Sequence, residues 1–294
     1  MNVKVTDKIA TIIFYTIAIV ITLILVGLLS FILVKGLSGI SWGFLTKPPE
    51  NMKAGGGVGP QIFNSFFLLF LTMLFTVPVG IGGGIYMAEY SKPNIVTNIA
   101  RLVIEVLSSL PSIVVGLFGL LIFVQKMGMG FSLFSGALAL MIFNLPLMVR
   151  ITEQSLRAVP VEQKEASLAM GISHWKTIVS IMLPIALPGI ITGTILTAGR
   201  AFGEAAALMF TAGMSSPPLD FTNWNPLSAN SPINPFRPAA TLAVHIWKVN
   251  SEGLTPDAKQ IAASASAVLI TCVLFFNLLS RLVGKLIYKK FTAA

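Results

Sequence analysis

The sequence predicts an all-α integral membrane protein with six transmembrane helices, and three observations predict it. Of the 294 residues, 55% are hydrophobic and 11% charged, with a mean hydropathy of +0.85, whereas soluble domains carry about 25% charged residues. Apolar runs long enough to cross about 30 Å of hydrocarbon, at about 1.5 Å per helical residue, recur from end to end. Lys and Arg favour alternate connecting segments, as helices threaded through a membrane require.

Five runs carry no charge: Ile9–Val34, Ile62–Ala88, Val106–Gln125, Met127–Val149 and Gln260–Ser280. A sixth, Ile185–Ala212, is long enough but holds Arg200 and Glu204. The first run has 26 residues, beyond the roughly 7–15 of a cleavable signal core, so it reads as a retained span. With the N-terminus inside, segments 1–8, 89–101, 150–184 and 281–294 carry 12 Lys and Arg in 70 residues. The outer segments 35–61, 126–130 and 213–259 carry 7 in 79. Arg281, Lys285, Lys289 and Lys290 form the firmest anchor. Both termini are therefore expected in the cytoplasm, within one transmembrane domain, 1–294, whose core spans about 62–285.

Composition also excludes several functions. The net charge of +9 sits mostly between apolar runs, where it serves anionic headgroups and topology rather than nucleic acid. The single cysteine, Cys272, lies in an apolar run and has no intrachain partner for a disulfide. His174 and His245 fall on opposite sides of the membrane, so no metal site, cofactor or catalysis is expected of this chain. Gly55, Gly56, Gly57 and Gly59 lie in the first outer loop. No Gly-x-x-x-x-Gly-Lys-Ser/Thr phosphate loop occurs, so ATP binding of that kind is not expected.

Within the spans, Pro78 with Gly80, Gly82, Gly83 and Gly84 predicts a kinked or loosened second helix. Two readings are open: a flexible segment lining a pathway, or close packing through small residues. Gly189 and Gly193, then Gly199 and Gly203, are paired four apart and predict a packing face on the fifth span.

A polar stretch over about 159–184 separates the fourth and fifth spans. Pro160 can open a helix and Gly171 can close it in the left-handed conformation. Ser173 is then placed to cap a second short helix ending before Pro184. The expectation is a helix–turn–helix hairpin on the cytoplasmic face. Glu165-Ala166-Ser167, three residues, Gly171, nine residues and Ile181-Met182-Leu183-Pro184 resemble the Glu-Ala-Ala loop of ABC-importer permeases, with Ser167 replacing the second Ala.

Four further stretches resemble the PstA-type permeases of phosphate-specific transport; PstC-type permeases are related. These are Met87-Ala88-Glu89-Tyr90, Leu110 to Gly116, Asn144 to Arg150, and Gly199 to Ala205, where Ala205 replaces the family's usual Thr. The resemblance covers about residues 55–290. It implies a type I ABC-importer permease fold in the cytoplasmic membrane. It also implies a PstC-type permease partner, an ATPase dimer that uses ATP, and an external phosphate-binding protein. Glu165, Ala166, Ser167 and Gly171 would lie at or beside the ATPase contact.

Arg200 and Glu204 are four apart near mid-span, so a continuous helix would bring them together. An unpaired Arg costs about 2.5–3.5 kcal/mol at that depth. Thr197, Arg200, Glu204 and Thr211 would share one polar stripe, within about 60° at 100° per residue. Such a stripe suits the wall of an anion pathway, with Arg matched to phosphate oxygens; a structural ion pair is the competing reading. Arg150, at the inner end of the fourth span, is open to a transport role or to simple snorkelling. The outer stretch 213–259 holds Pro217, Pro218, Pro226, Pro232, Pro235 and Pro238, which predict turns. Leu242, Ile246 and Val249 recur at helical spacing and predict a short interfacial helix.

The function expected is import of inorganic phosphate by an ATP-driven permease subunit. Alternatives are a permease for molybdate or sulfate, a membrane-embedded enzyme using Arg200 and Glu204, or a secondary carrier.

Overall fold

The computed structural model describes residues 3–50, 53–253 and 255–292, and every regular element in them is helical. In chain order these are α1 (Val3–Leu37), α2 (Trp42–Thr46), α3 (Gly59–Ile85), α4 (Ile95–Ser109), α5 (Ser112–Gly119) and α6 (Leu133–Arg157). They continue with α7 (Val161–Ala169), α8 (His174–Thr177), α9 (Leu183–Phe202), α10 (Ala206–Thr211), α11 (Leu242–Glu252) and α12 (Ala258–Thr292). Widened π turns extend α3 through Tyr86–Tyr90 and α5 through Leu120–Lys126, and another, Ile178–Met182, joins α8 to α9.

Five helices are long and apolar enough to cross a membrane, and the bent pair Ile95–Ser109 and Ser112–Lys126 makes a sixth crossing. The bend of 102° corrects the third expected span, Val106–Gln125. Leu110 and Pro111 are both extended; Pro111 offers no N–H and disfavours helix in the residue before it, so α4 turns away there. The fourth span also differs from Met127–Val149: it starts at Leu133, where Ser132 caps the helix, and runs through Arg150 to Arg157.

Helix directions support a chain threaded back and forth. A side chain on Gly80 would meet Met148 and one on Gly84 would meet Thr152, a constant offset, so α3 and α6 run parallel. Gly189 faces Ser155 while Gly193 faces Ile151, so α6 and α9 are antiparallel. These are the relations that second, fourth and fifth crossings must have.

Gly80, Gly83 and Gly84 of the second span therefore serve packing, whereas Gly82 is exposed. α3 continues through Pro78, and Gly80, Gly83 and Gly84 lie against Met148, Val149 and Thr152. On α9, Gly189 and Gly193 are close-approach positions, but Gly199 meets only Asn277, at an ordinary 3.7 Å, so the second glycine pair is no packing face.

Two buried apolar clusters stack along this bundle. One gathers Leu68, Leu140, Ala201, Phe202 and Leu208; the other, toward the hairpin, gathers Ile85, Met148, Leu156, Ile178 and Met182. A third joins Phe44, Val58, Leu242, Ile261 and Val268 on the outer side. α11 is thus buried at Leu242 and Val244 rather than laid on a lipid surface; Trp247 is its exposed flank. Residues 213–241 form turns, as their prolines predict. They are tied down by Arg237, which is 2% exposed and donates to the carbonyls of Ser231 and Pro232 and to Asn64 Oδ1 at 2.7 Å.

At the end of α12, Arg281 and Lys285 are exposed; the side chains of Lys289 and Lys290 lie outside the described residues.

Candidate functional site

Two groups of residues bear on function: the charged residues where α9 ends, and the hairpin between α6 and α9. The final turn of α9 closes with Gly203 and Glu204 donating their N–H groups to Gly199 and Ala201 at 3.4 Å, and the helix stops at Phe202. Glu204 falls in the junction, where its carboxylate accepts from the N–H of Ala207 at 3.3 Å and caps α10.

The expected Arg200–Glu204 ion pair is not formed: the ion pairs among the described residues join Arg101 and Arg157 to Glu153 and Lys164 to Glu89, with His174 in hydrogen-bond contact with Glu89. Arg200 instead lays its guanidinium 3.7 Å above the Phe143 ring of α6. A cation over an aromatic face gains about 0.5–2 kcal/mol, depending on how dry the site is. Arg200 is half-buried, so part of the group stays open to a ligand.

The break in the helix also dissolves the four-residue stripe. Thr197 is fully buried and donates its hydroxyl to Gly193 O at 2.8 Å; Thr211, on the separate helix α10, donates to Ala207 O at 2.8 Å. Gly193 packs against Ile151, so the sector holding Gly193, Thr197 and Arg200 faces α6. Next to Phe143 on that helix, Asn144 is 0% exposed, and neither its Oδ1 nor its Nδ2 has a hydrogen-bond partner. Arg150 is exposed, about one turn before the buried Glu153.

The hairpin forms largely as its sequence dictates. Pro160 precedes α7, and Gly171 takes φ +79°, where a side chain would be strained. Ser173 occupies the capping position of α8, but its side chain makes no capping bond; its carbonyl accepts instead from Thr177. The second helix does not stop before Pro184. A π turn there lets Leu183 N–H bond Ile178 O, five residues back, so the helix runs on from His174 to Phe202.

Glu165 and Ala166 are exposed, beside the exposed apolar side chains of Val161, Leu168, Met170 and Trp175. Ser167 points the other way: it is 1% exposed and its Oγ lies 2.8 Å from Thr177 Oγ1, locking α7 to α8.

Sequence reasoning missed the acidic anchors beneath this hairpin. Glu89, with a side chain 6% exposed, receives Lys164 Nζ at 2.6 Å and His174 Nε2 at 3.0 Å. Glu153 receives Arg101 at 2.8 Å and Arg157 at 3.0 Å. The available signal was a lone carboxylate at the inner end of an apolar run, in segments otherwise rich in Lys and Arg.

Six membrane-crossing helices carrying a helical hairpin on one face define an integral membrane protein. Residues 80–293 match the family described as "binding-protein-dependent transport system inner membrane component", and the chain belongs to that family. It is similar to the "probable ABC transporter permease protein YqgI" of Bacillus subtilis, 57% identical over 293 residues and the whole of both chains. It is also similar to the "phosphate transport system permease protein PstA" of Yersinia pestis, 37% identical over 85% of this chain and 80% of that one. Among solved structures, a bacterial alginate ABC transporter in complex with a pentasaccharide-bound periplasmic protein matches 97% of this chain and 96% of its own. Its TM-score is 0.65 and its identity 14%. The MetNI methionine ABC transporter in an inward-facing form matches 79% of this chain and 94% of its own, with a TM-score of 0.58 and 18% identity. The chain is an ABC-importer permease of the inner membrane, a transport component.

Proposed function

We propose that this chain is one of two transmembrane subunits of an importer that moves inorganic phosphate into the cytoplasm. Its partners are a PstC-type permease, an ATPase dimer that hydrolyses the ATP, and an external phosphate-binding protein; the chain itself holds no cofactor or metal. The observation that carries the reading is the hairpin. Its face of Val161, Ala166, Leu168, Met170 and Trp175 is exposed, and an apolar surface of this kind at the end of a membrane bundle suits a protein partner. Glu165 and Gly171 flank that face. Rigid attachment to α6 and α9 suits it to transmit a partner's closure to the spans.

Phosphate as substrate is supported by the names of relatives such as the PstA permease of Yersinia pestis. Arg200 supports it too: a half-buried guanidinium held over Phe143 and free of a carboxylate keeps its donors available to a tetrahedral oxyanion. Glu204, close by but not paired, keeps the site from holding the anion too tightly to release it. Thr197 shapes the wall beside Arg200, and Arg150 offers positive charge on the inward route.

The test is ATP-dependent uptake into vesicles holding all the partners, with labelled phosphate competed against molybdate and sulfate. Uptake blocked by excess phosphate alone supports the reading; competition by molybdate or sulfate at equal concentration redirects the substrate to another oxyanion. Arg200→Gln should abolish uptake with assembly intact, and normal uptake in that variant rules out conduction through Arg200.

A further inference from the structure

Glu89 lies outside both the proposed substrate route and the exposed hairpin face, yet it joins elements the backbone leaves separate. The hairpin is tethered covalently to α6 and to α9. It has no chain connection to α3, whose extension ends at Tyr90. The carboxylate of Glu89 closes that gap. Its Oε2 takes Lys164 of α7 at 2.6 Å and His174 of α8 at 3.0 Å, so one oxygen holds both arms of the hairpin. The Tyr90 ring adds an edge contact to the His174 ring, with centroids 5.2 Å apart.

A carboxylate with a side chain 6% exposed is a poor choice for stability alone, because ion pairs taken out of water rarely outperform apolar packing. It is a good choice for a directional joint. Its contacts are short and point to two separate helices, and they resist both sliding and separation. Glu89 sits in the π turn Tyr86–Tyr90, and the opposite end of the hairpin enters α9 through the π turn Ile178–Met182. Such turns commonly mark functional irregularities in helices. On its other side, α3 packs tightly on α6 through Gly80 and Gly84. A displacement of the hairpin is thereby delivered to α3 as well as to α6 and α9.

We propose that Glu89 is the positioning residue that makes the second span move with the hairpin, so that ATPase closure is converted into opening of the substrate route. This rests on the reading of the hairpin as the ATPase dock.

The test uses the complete complex in proteoliposomes, measuring phosphate uptake and ATP hydrolysis together. Glu89→Gln is expected to retain the ATPase on purification and to keep hydrolysing ATP, while phosphate moved per ATP falls on the order of tenfold. The exchange Glu89→Lys with Lys164→Glu is expected to recover most of that yield, which a merely space-filling role would not predict.

A measurement with Glu89 intact guards against variants that fail to assemble. Spin labels placed by Tyr86→Cys and Lys176→Cys, both exposed and outside the apolar docking face, in a Cys272→Ser background, should keep one separation in the nucleotide-free and ATP-trapped states. A separation that changes between those states overturns the joint, as does unaltered phosphate per ATP in Glu89→Gln. So does an exchange variant that assembles but remains as uncoupled as the single variant. A wild-type complex that neither binds an ATPase nor takes up phosphate overturns the functional reading itself, and the joint with it.

Discussion

Replacing Gly80 with Ala adds one methyl group, and its effect can be worked out from the contact between α3 and α6. The new Cβ would stand 2.7 Å from Met148 Cβ, where carbon atoms at rest keep about 3.5–4.0 Å. Met148 is 0% exposed, so it has nowhere to turn. At Gly84 the added carbon would stand 2.6 Å from Thr152 Cγ2 and 3.0 Å from the carbonyl of Val149. The two helices must then separate by about 1 Å, and overpacking of this size costs about 1–3 kcal/mol.

Against that stands the better helix propensity of Ala, about 1 kcal/mol over Gly. Gly82 supplies the control: it is exposed on the same helix and a Cβ there meets nothing within 4 Å. Gly82→Ala should therefore hold or gain stability, while Gly80→Ala and Gly84→Ala should fall about 1–3 kcal/mol below it. The assay is thermal unfolding of the three purified variants in the same detergent, with uptake measured in vesicles. Equal melting of all three would refute close packing. Loss of uptake in Gly82→Ala without loss of stability would favour the rival reading, in which these glycines give the helix needed flexibility.

Phe143→Leu should weaken the seat of Arg200 by about 0.5–2 kcal/mol and lower uptake several-fold, whereas Phe143→Tyr should stay near wild type; uptake kinetics distinguish them. Burial, aided by the charge of Lys248, pushes the His245 imidazole down from 6.5 to about 4. Between those values the unfolded chain binds the extra proton and the folded chain does not. Stability should therefore fall as pH drops from 6.5 to 4, by about 3 kcal/mol in all. Melting curves across that range should show the slope, and His245→Gln should flatten it. Burial likewise lowers Arg237, to about 10, leaving it charged at neutral pH. Arg237→Ala removes the donor held by Ser231 O, Pro232 O and Asn64 Oδ1. Leaving those buried acceptors unpaired should cost about 1–3 kcal/mol each at most and open the 213–241 segment to protease, read by limited digestion.

The crossings were legible because hydrocarbon thickness imposes a length on apolar runs: Ile9–Val34 lies inside α1, and Ile62–Ala88 inside α3 and its extension. Run length counts residues but not direction, so the turn at Pro111 went unseen, although Pro111 itself was the warning. Arg150 ended an uncharged run without ending a helix, because α6 continues beyond it to Arg157. The pairing of Arg200 with Glu204 assumed an unbroken helix, and Gly203 breaks it. Phe143, the true partner of Arg200, is far away in sequence and apolar, so no charge pattern points to it. The Glu89–His174 contact spans 85 residues and the Arg101–Glu153 contact 52. Contacts of that separation follow from how helices pack, which one sequence does not reveal. The hairpin was the most legible feature because Pro160 and Gly171 act locally.

One consequence concerns synthesis. The first span, α1, has none of its apolar stretch buried and docks mainly on α12, where Gly36 and Gly39 press against Ala267, Gln260 and Ser264. Its partner lies far downstream: the contacting residues Gly36 and Ser264 are 228 positions apart. At roughly 5–20 residues per second, α1 waits for tens of seconds in lipid before that partner emerges. It must therefore persist as a lone helix without aggregating, which its long, unbroken apolar stretch allows. Truncation before α12 should strand it there, leaving a nascent chain anchored at its start and unable to close its own bundle.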